Sequence, residues 1–254
     1  MNSIPSLPII EARNLTVRFG ERTIFENVSF TIHRGDILVI LGGSGCGKST
    51  LLRTLTGLNQ PTEGQVLIDG EDFTAAVGAE RTRLLRKFGI LFQSGGLFAS
   101  MSLAENIALP LQTYTNLSEN DIETMITLKL GSVGLDGFQE FLPSEISGGM
   151  KKRAGLARAM ALDPEILFFD EPSAGLDPIS SVSLDNLILN LNSALGTTMI
   201  VVTHELDSIN KIAKRALMLD RDAQGIIAFG TLDEVKNNIS NPRINHFFNR
   251  IAEE

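Results

Sequence analysis

The chain has 254 residues, 43% hydrophobic and 20% charged, with a formal net charge of −8. This length and apolar content allow one large domain, or a domain carrying an inserted lobe. The acidic balance argues against nucleic acid or anionic lipid as the main partner, and the single cysteine excludes an intramolecular disulfide and fits a reducing compartment.

No apolar run approaches the ~18 residues needed to span a membrane, and residues 1–10 lack the basic start and long apolar stretch of a secretory signal. Residues 9–19 and 28–32 carry strand-like residues, with polar turns at 20–22 and 33–35. The apolar run 36–41 reads as a buried strand, and residues 51–57 read as a helix ending at Gly57. Strands are also expected at 65–69, 89–93, 166–170 and 198–203, with helices near 180–195 and 206–215. Between 94 and 160 the pattern turns helical. Ser102 with Glu105 resembles a capping box, and Ser118 is placed to cap a helix running through Leu130. Strand–helix alternation predicts a doubly wound α/β core, with 94–160 as an inserted helical lobe. In the last segment Ile244, Phe247, Phe248 and Ile251 share one helix face, suited either to the chain's own core or to a subunit contact.

Between the strand at 36–41 and the helix at 51–57 stand Gly42, Gly43, Ser44, Gly45, Cys46, Gly47, Lys48, Ser49 and Thr50. Gly42 to Ser49 match the phosphate-loop pattern G-x-x-x-x-G-K-[ST] in its strand–loop–helix context. Glycines turn backbone N–H groups toward one anion, and the helix N-terminus adds positive potential. Lys48 is expected to reach the β- and γ-phosphates and the Ser49 hydroxyl to hold Mg²⁺, so the chain is expected to bind a nucleoside triphosphate. Cys46 contributes backbone more than thiol. Asp170, at the end of an apolar strand, fits a Mg²⁺-holding acid, and Glu171 is placed to take a proton from an attacking water. Ser147 caps a helix whose exposed N-terminus is a second candidate anion site. The basic run 151–153 reads as a solvated face.

With these motifs in order, the sequence resembles the ATPase subunits of ABC transporters over nearly its whole length. Gly42–Thr50 resembles the Walker A motif, and 166–171 resembles Walker B with its catalytic glutamate. Ser147, Gly148, Gly149 and Met150 resemble the L-S-G-G-Q signature, with Met replacing Gln. Gln93 is similar to the Q-loop glutamine, 173–177 to the D-loop and His204 to the switch histidine. Phe19 stands at the aromatic position that stacks on adenine, or it packs between strands. The resemblance implies a P-loop NTPase (RecA-like) core with an N-terminal antiparallel β subdomain, residues 1–93 and 161–254 forming the core and 94–160 the helical lobe. It implies ATP and Mg²⁺ as ligands. It also implies a homodimer in which each site joins the phosphate loop of one chain to Ser147 and Gly149 of the other. Gln93 and His204 would position the γ-phosphate, the water and the metal.

Segments 91–98, 147–153 and 177–179 further resemble the ATPase of MCE-type lipid transport systems, such as the Mla system of Gram-negative envelopes. That likeness implies phospholipid as cargo, an integral permease, an MCE-domain substrate-binding protein and a small STAS-domain partner. It implies a peripheral position on the cytoplasmic side of the inner membrane, with membrane contact through the permease. An importer of another small substrate and a soluble assembly-type ATPase are the alternatives. Leu97, Phe98, Met101 and Leu103, beside Gln93, read either as a docking surface for other subunits or as filling between the two lobes.

Overall fold

The computed structural model describes residues 8–238 and 240–251. The chain starts with a long hairpin, β1 (Pro8–Phe19) and β2 (Arg22–His33), closed by a two-residue turn whose Gly20 has φ 60°. β4 (Glu63–Ile68) pairs with the other edge of β1 and β5 (Glu71–Asp72) follows, so this antiparallel sheet runs β2-β1-β4-β5. Ile10 lies opposite both Ile32 and Ile68, stacking three isoleucines across the sheet.

The second sheet contains β3 (Ile37–Leu41), β6 (Phe88–Leu91), β7 (Ile166–Asp170), β8 (Thr198–Val202), β9 (Arg215–Asp220) and β10 (Gly225–Thr231), in the order β10-β9-β3-β8-β7-β6. All neighbours are parallel except β10 and β9. Every residue of β3 and β8 is buried, as a parallel sheet covered on both faces requires. The pleat sorts their side chains in alternation. Leu38, Ile40, Ile200 and Val202 join the cluster under the antiparallel sheet and α1 (Lys48–Leu55). Ile37, Val39, Leu41, Met199 and Val201 join the cluster under the helices on the opposite face.

Those helices include α3 (Leu103–Tyr114), α4 (Glu119–Ser132), α5 (Gly148–Ala159) and α6 (Pro178–Leu195), and each begins at a polar cap. Ser102 and Glu105 form the expected capping box, Ser118 pairs reciprocally with Asp121, and the Ser147 hydroxyl accepts from Met150 N at 3.3 Å. Asp177 accepts from Ile179 N and Ser180 N, both at 3.0 Å, to start α6. α5 lies directly on the segment after β6: a Cβ at Gly155 would stand 2.1 Å from the Gly95 carbonyl oxygen, so only glycine permits that approach.

Several elements depart from the sequence reading. The helix expected over 206–215 is α7 (Leu206–Ile212). It stops because Lys214 N already donates to Ile37 O (3.1 Å) and the chain has entered the sheet as β9. β10, α2 (Gly78–Leu85) and α8 (Leu232–Lys236) were not expected. The final helix, α9 (Pro242–Asn249), docks on the chain's own core: Ile244 is fully buried and Phe247 and Phe248 pack against the helical-face cluster. Ile251 stays half-exposed outside it, and the residues after 251 lie outside the described residues.

Candidate active site

The phosphate loop leaves β3 and enters α1 with a backbone that demands glycine. Gly42 has φ 140°, and a Cβ there would stand 2.3 Å from the carbonyl oxygen of Leu219 on β9. Beneath the loop the Cys46 side chain is buried, and burial pushes its thiol pKa up against the attraction of Lys48. Gly47 begins α1 without a side-chain cap, so the first N–H groups of the helix remain for an anion. Lys48 Nζ donates to the carbonyl oxygens of Gly42 (2.8 Å) and Gly43 (3.0 Å), which holds the ammonium over the loop.

Strand order brings two of the three residues expected to hold the metal, Ser49 and Asp170, together. β7 is separated from β3 only by β8, so Asp170 at its end reaches the start of α1, and Ser49 Oγ donates to Asp170 Oδ1 at 3.2 Å. A hydroxyl and one carboxylate are hard oxygen donors, the kind of partial set that Mg²⁺ completes with water and substrate phosphates. Among the described residues no cluster of three or more His, Cys, Asp or Glu side chains could hold a metal unaided.

Glu171 follows with φ 48°, a left-handed backbone uncommon outside glycine, pinned by its N–H to Val202 O (2.8 Å). Its Oε1 lies 3.0 Å from His204 Nδ1, while its Oε2 is buried without a hydrogen-bond partner. An unpartnered buried carboxylate oxygen is costly in a folded chain, and its position at the site invites a water or substrate hydrogen bond. His204 itself is largely exposed, with 64% of its side chain accessible.

An open cleft of about 740 Å³ gathers Gly42, Gly43, Ser44, Gly45, Gly47, Lys48, Ser49 and Thr50 with Gln93, Glu171 and His204. Arg22, Ile24 and Phe247 also line it, and none of them was expected at the site from the sequence. Cys46 and Asp170 are not in this lining: Cys46 is buried, and Asp170 accepts from Ser49, which lines the cleft. Phe19 does not line the cleft; it is 55% exposed at the end of β1, across the turn from Arg22. Ser147, Gly148 and Gly149 stand at the start of α5 and do not line it either; Ser147 and Gly148 are exposed. Within one chain the serine–glycine helix start is therefore not part of the cleft that the phosphate loop lines.

Within the basic run 151–153, Lys152 and Arg153 are not the solvated face expected, and Lys151 is half-buried. Lys152 is 6% exposed, and its ammonium donates to the main-chain oxygens of Gln93 and, at 3.3 Å, of Glu171. Burial pulls its pKa down, opposed by Asp170, Glu171 and Glu205. Arg153 donates to Val133 O (2.9 Å) and Ser183 Oγ (2.6 Å). The cause is position: α5 packs on β6 and against α3, α4 and α6, so Lys152 and Arg153 meet carbonyls of neighbouring segments.

The four apolar residues after Gln93 divide. Leu103 is fully buried and Leu97 packs on the core, so these two fill the seam. Phe98 is 45% exposed, with the Arg158 guanidinium 4.9 Å over its ring, and Met101 is half-buried. Asn106, buried in α3, ties this loop down by accepting from Phe98 N and donating to the carbonyls of Phe98, Met101 and Ser102.

A glycine-rich phosphate loop at a switch point of a parallel sheet, with acids at the next strand end but one, defines a P-loop nucleoside-triphosphatase. Residues 25–174 match the family described as ABC transporter, and the chain belongs to that family of transport ATPases. It is 42% identical over 227 residues to the intermembrane phospholipid transport system ATP-binding protein MlaF of Haemophilus influenzae, covering 89% of this chain and 85% of that protein. Identity to MlaF of Escherichia coli K12 is 40% over 245 residues, covering 96% and 90%. It is also 41% identical over 240 residues, 94% of its length, to the probable ribonucleotide transport ATP-binding protein mkl of Mycobacterium tuberculosis, of which it spans 66%. Among solved structures, the dimeric post-hydrolysis ATP-binding cassette MJ0796 bound to ADP and phosphate superposes with a TM-score of 0.79 at 30% identity, covering 88% of this chain and 98% of that one.

Proposed function

We propose that this ATPase drives the movement of phospholipid between the two membranes of a Gram-negative envelope. The observation that carries the reading is 40–42% identity, over 89–96% of the chain, to proteins named for intermembrane phospholipid transport. The separation of the phosphate-loop cleft from Ser147 supports a working homodimer, because a γ-phosphate held by one chain then needs the helix start of the other.

In this reading ATP lies between Gly42–Thr50 of one chain and Ser147, Gly148 and Gly149 of its partner, with Phe19 stacked on the adenine. Lys48 and the loop N–H groups bind the phosphates. Ser49, Asp170 and Gln93 would hold Mg²⁺, which when bound neutralises charge on the phosphate oxygens. Glu171 takes the proton from the attacking water, and His204 holds the Glu171 carboxylate toward the γ-phosphate. Product release reopens the dimer, and an integral permease docked on the 94–160 lobe feels the change. An MCE-domain substrate-binding protein and a small STAS-domain protein complete the complex. The chain sits peripherally on the cytoplasmic side of the inner membrane; among the described residues no helix is long and apolar enough to cross a membrane.

The test is purification of the tagged chain from its native membranes, with identification of the proteins that come with it and of any bound lipid. A polytopic permease with an MCE-domain protein and phospholipid supports the reading. A permease carrying a soluble substrate would move the cargo toward the other relatives, named for ribonucleotide transport. A soluble scaffold alone would contradict it.

A further inference from the structure

We propose that Lys152 is a positioning residue: its buried ammonium clamps the main chains of Gln93 and Glu171 to helix α5, so that the three move as one unit. The inference rests on the reading above, in which Gln93 and Glu171 act on the nucleotide.

Four observations carry it. First, lysine is almost never fully buried without partners, and this one is 6% exposed. Its recorded acceptors are both main-chain carbonyls, those of Gln93 and Glu171. A buried ammonium that gives up water for two carbonyls is a strong tether, because breaking either bond leaves a desolvated charge short of a partner.

Second, the two carbonyls belong to the residues that leave the ends of adjacent strands. Gln93 follows β6 and Glu171 follows β7, and the two strands pair in parallel register from Phe88–Ile166 to Leu91–Phe169. The β6–β7 pairing ends at Leu91 and Phe169, short of both residues. Lys152 fixes the residues beyond.

Third, Glu171 needs fixing. Its left-handed backbone is one that surrounding structure must impose. Val202 O holds its N–H from one side and Lys152 holds its carbonyl from the other. Together they set the peptide planes on both sides of the Cα, and thereby the direction in which the carboxylate points.

Fourth, Lys152 is five residues from Ser147 on the same helix, about 7.5 Å along its axis. The helix start does not line the chain's own cleft, while Lys152 holds the carbonyls of two residues that do, Gln93 and Glu171. A rigid helix segment thus joins the surface offered to a second copy with the carbonyls behind the chain's own Glu171 and Gln93. Movement of α5 when its start takes up a phosphate would be passed to those two residues without an intervening loop.

The test compares the full-length chain with Lys152→Met, which keeps the length and burial but loses every donor, and Lys152→Gln, which keeps N–H donors without the charge. ATP affinity, kcat, KM and thermal melting are read for each, with Glu171→Gln alongside. The clamp predicts that Lys152→Met lowers kcat by about tenfold to hundredfold while ATP affinity stays within about threefold, and that Lys152→Gln recovers part of the lost kcat. Wild-type kcat in Lys152→Met, or equal loss in both variants, would overturn it. If Lys152→Met does not fold, Lys152→Gln decides: reduced kcat at unchanged affinity supports the clamp, and unchanged kcat or a parallel fall in affinity refutes it. Sustained turnover by Glu171→Gln would instead remove the reading of the site on which the clamp depends.

Discussion

Nδ1 of His204 lies 3.0 Å from Oε1 of Glu171, while the second oxygen of that carboxylate is buried without a partner. One oxygen is oriented and the other is available, which is the arrangement a general base needs toward water. Glu171→Gln keeps the shape and loses the basic oxygen. Its steady-state hydrolysis should fall by about 10²–10⁴-fold, roughly 3–5 kcal/mol, with ATP binding retained. Release of phosphate at a rate near that of the unaltered chain would take Glu171 out of this role.

Lys48 is held over the phosphate loop by the carbonyls of Gly42 and Gly43. Lys48→Ala removes the charge that meets the phosphates and should weaken ATP binding by about 1.5–3 kcal/mol, roughly tenfold to hundredfold. Lys48→Arg should not restore it, because a planar fork does not replace a compact ammonium in this loop. Calorimetric titration with ATP checks both; unchanged affinity in Lys48→Ala would contradict the assignment of the loop.

What the sequence revealed was what neighbouring residues decide among themselves. The phosphate loop, the Ser102–Glu105 box and the Ser147 cap are contained within a few residues, and continuous apolar runs marked β3, β7 and β8. β9 was hidden because Arg215-Ala-Leu-Met-Leu-Asp220 suits a helix as well as a strand; pairing with β3, far away in sequence, decides it. Lys152 was misread because charge usually marks solvent, whereas its acceptors stand 59 and 19 residues away. Arg22, Ile24 and Phe247 reach the cleft from a hairpin and a terminal helix, and no local pattern announces that. The 3.6-residue spacing of Ile244, Phe247 and Phe248 signalled a buried face in α9 but not which surface it meets.

Phe98 is exposed in a loop that Asn106 anchors from below, beside the half-buried Met101. Phe98→Asp places a charge on this surface without entering the core. Capture of the permease should drop while ATP affinity and melting temperature stay near their original values. Full capture would remove this surface from docking, and loss of folding would show that Phe98 belongs to the seam with Leu97 and Leu103.

Asp185 is 3% exposed between α6 and α7, accepts from the Ser208 hydroxyl at 2.9 and 3.0 Å, and has its pKa raised by burial. A carboxyl whose folded pKa exceeds its unfolded value binds more proton in the native state. Its contribution to stability is therefore greatest at low pH and is lost as pH rises from the ordinary aspartate value of 3.8 through the raised one. Asp185→Asn removes that titration. Its melting temperature relative to the unaltered chain should rise with pH across this window, read by a series of thermal melts from below pH 3.8 up to pH 8. A constant difference, or one of opposite sign, would contradict the burial argument.

The central claim is that the cleft hydrolyses ATP only when the Ser147 helix start of a second copy closes over it. The direct measurement is the mass of the Glu171→Gln chain in solution by light scattering, with and without ATP, beside the double variant Glu171→Gln/Ser147→Arg. The account predicts a monomer without nucleotide, a dimer with ATP, and no ATP-induced dimer once Ser147 is replaced by a bulky cation, although each double-variant chain still binds ATP. A Glu171→Gln chain that stays monomeric while saturated with ATP, or a dimer indifferent to the Ser147 change, would contradict it.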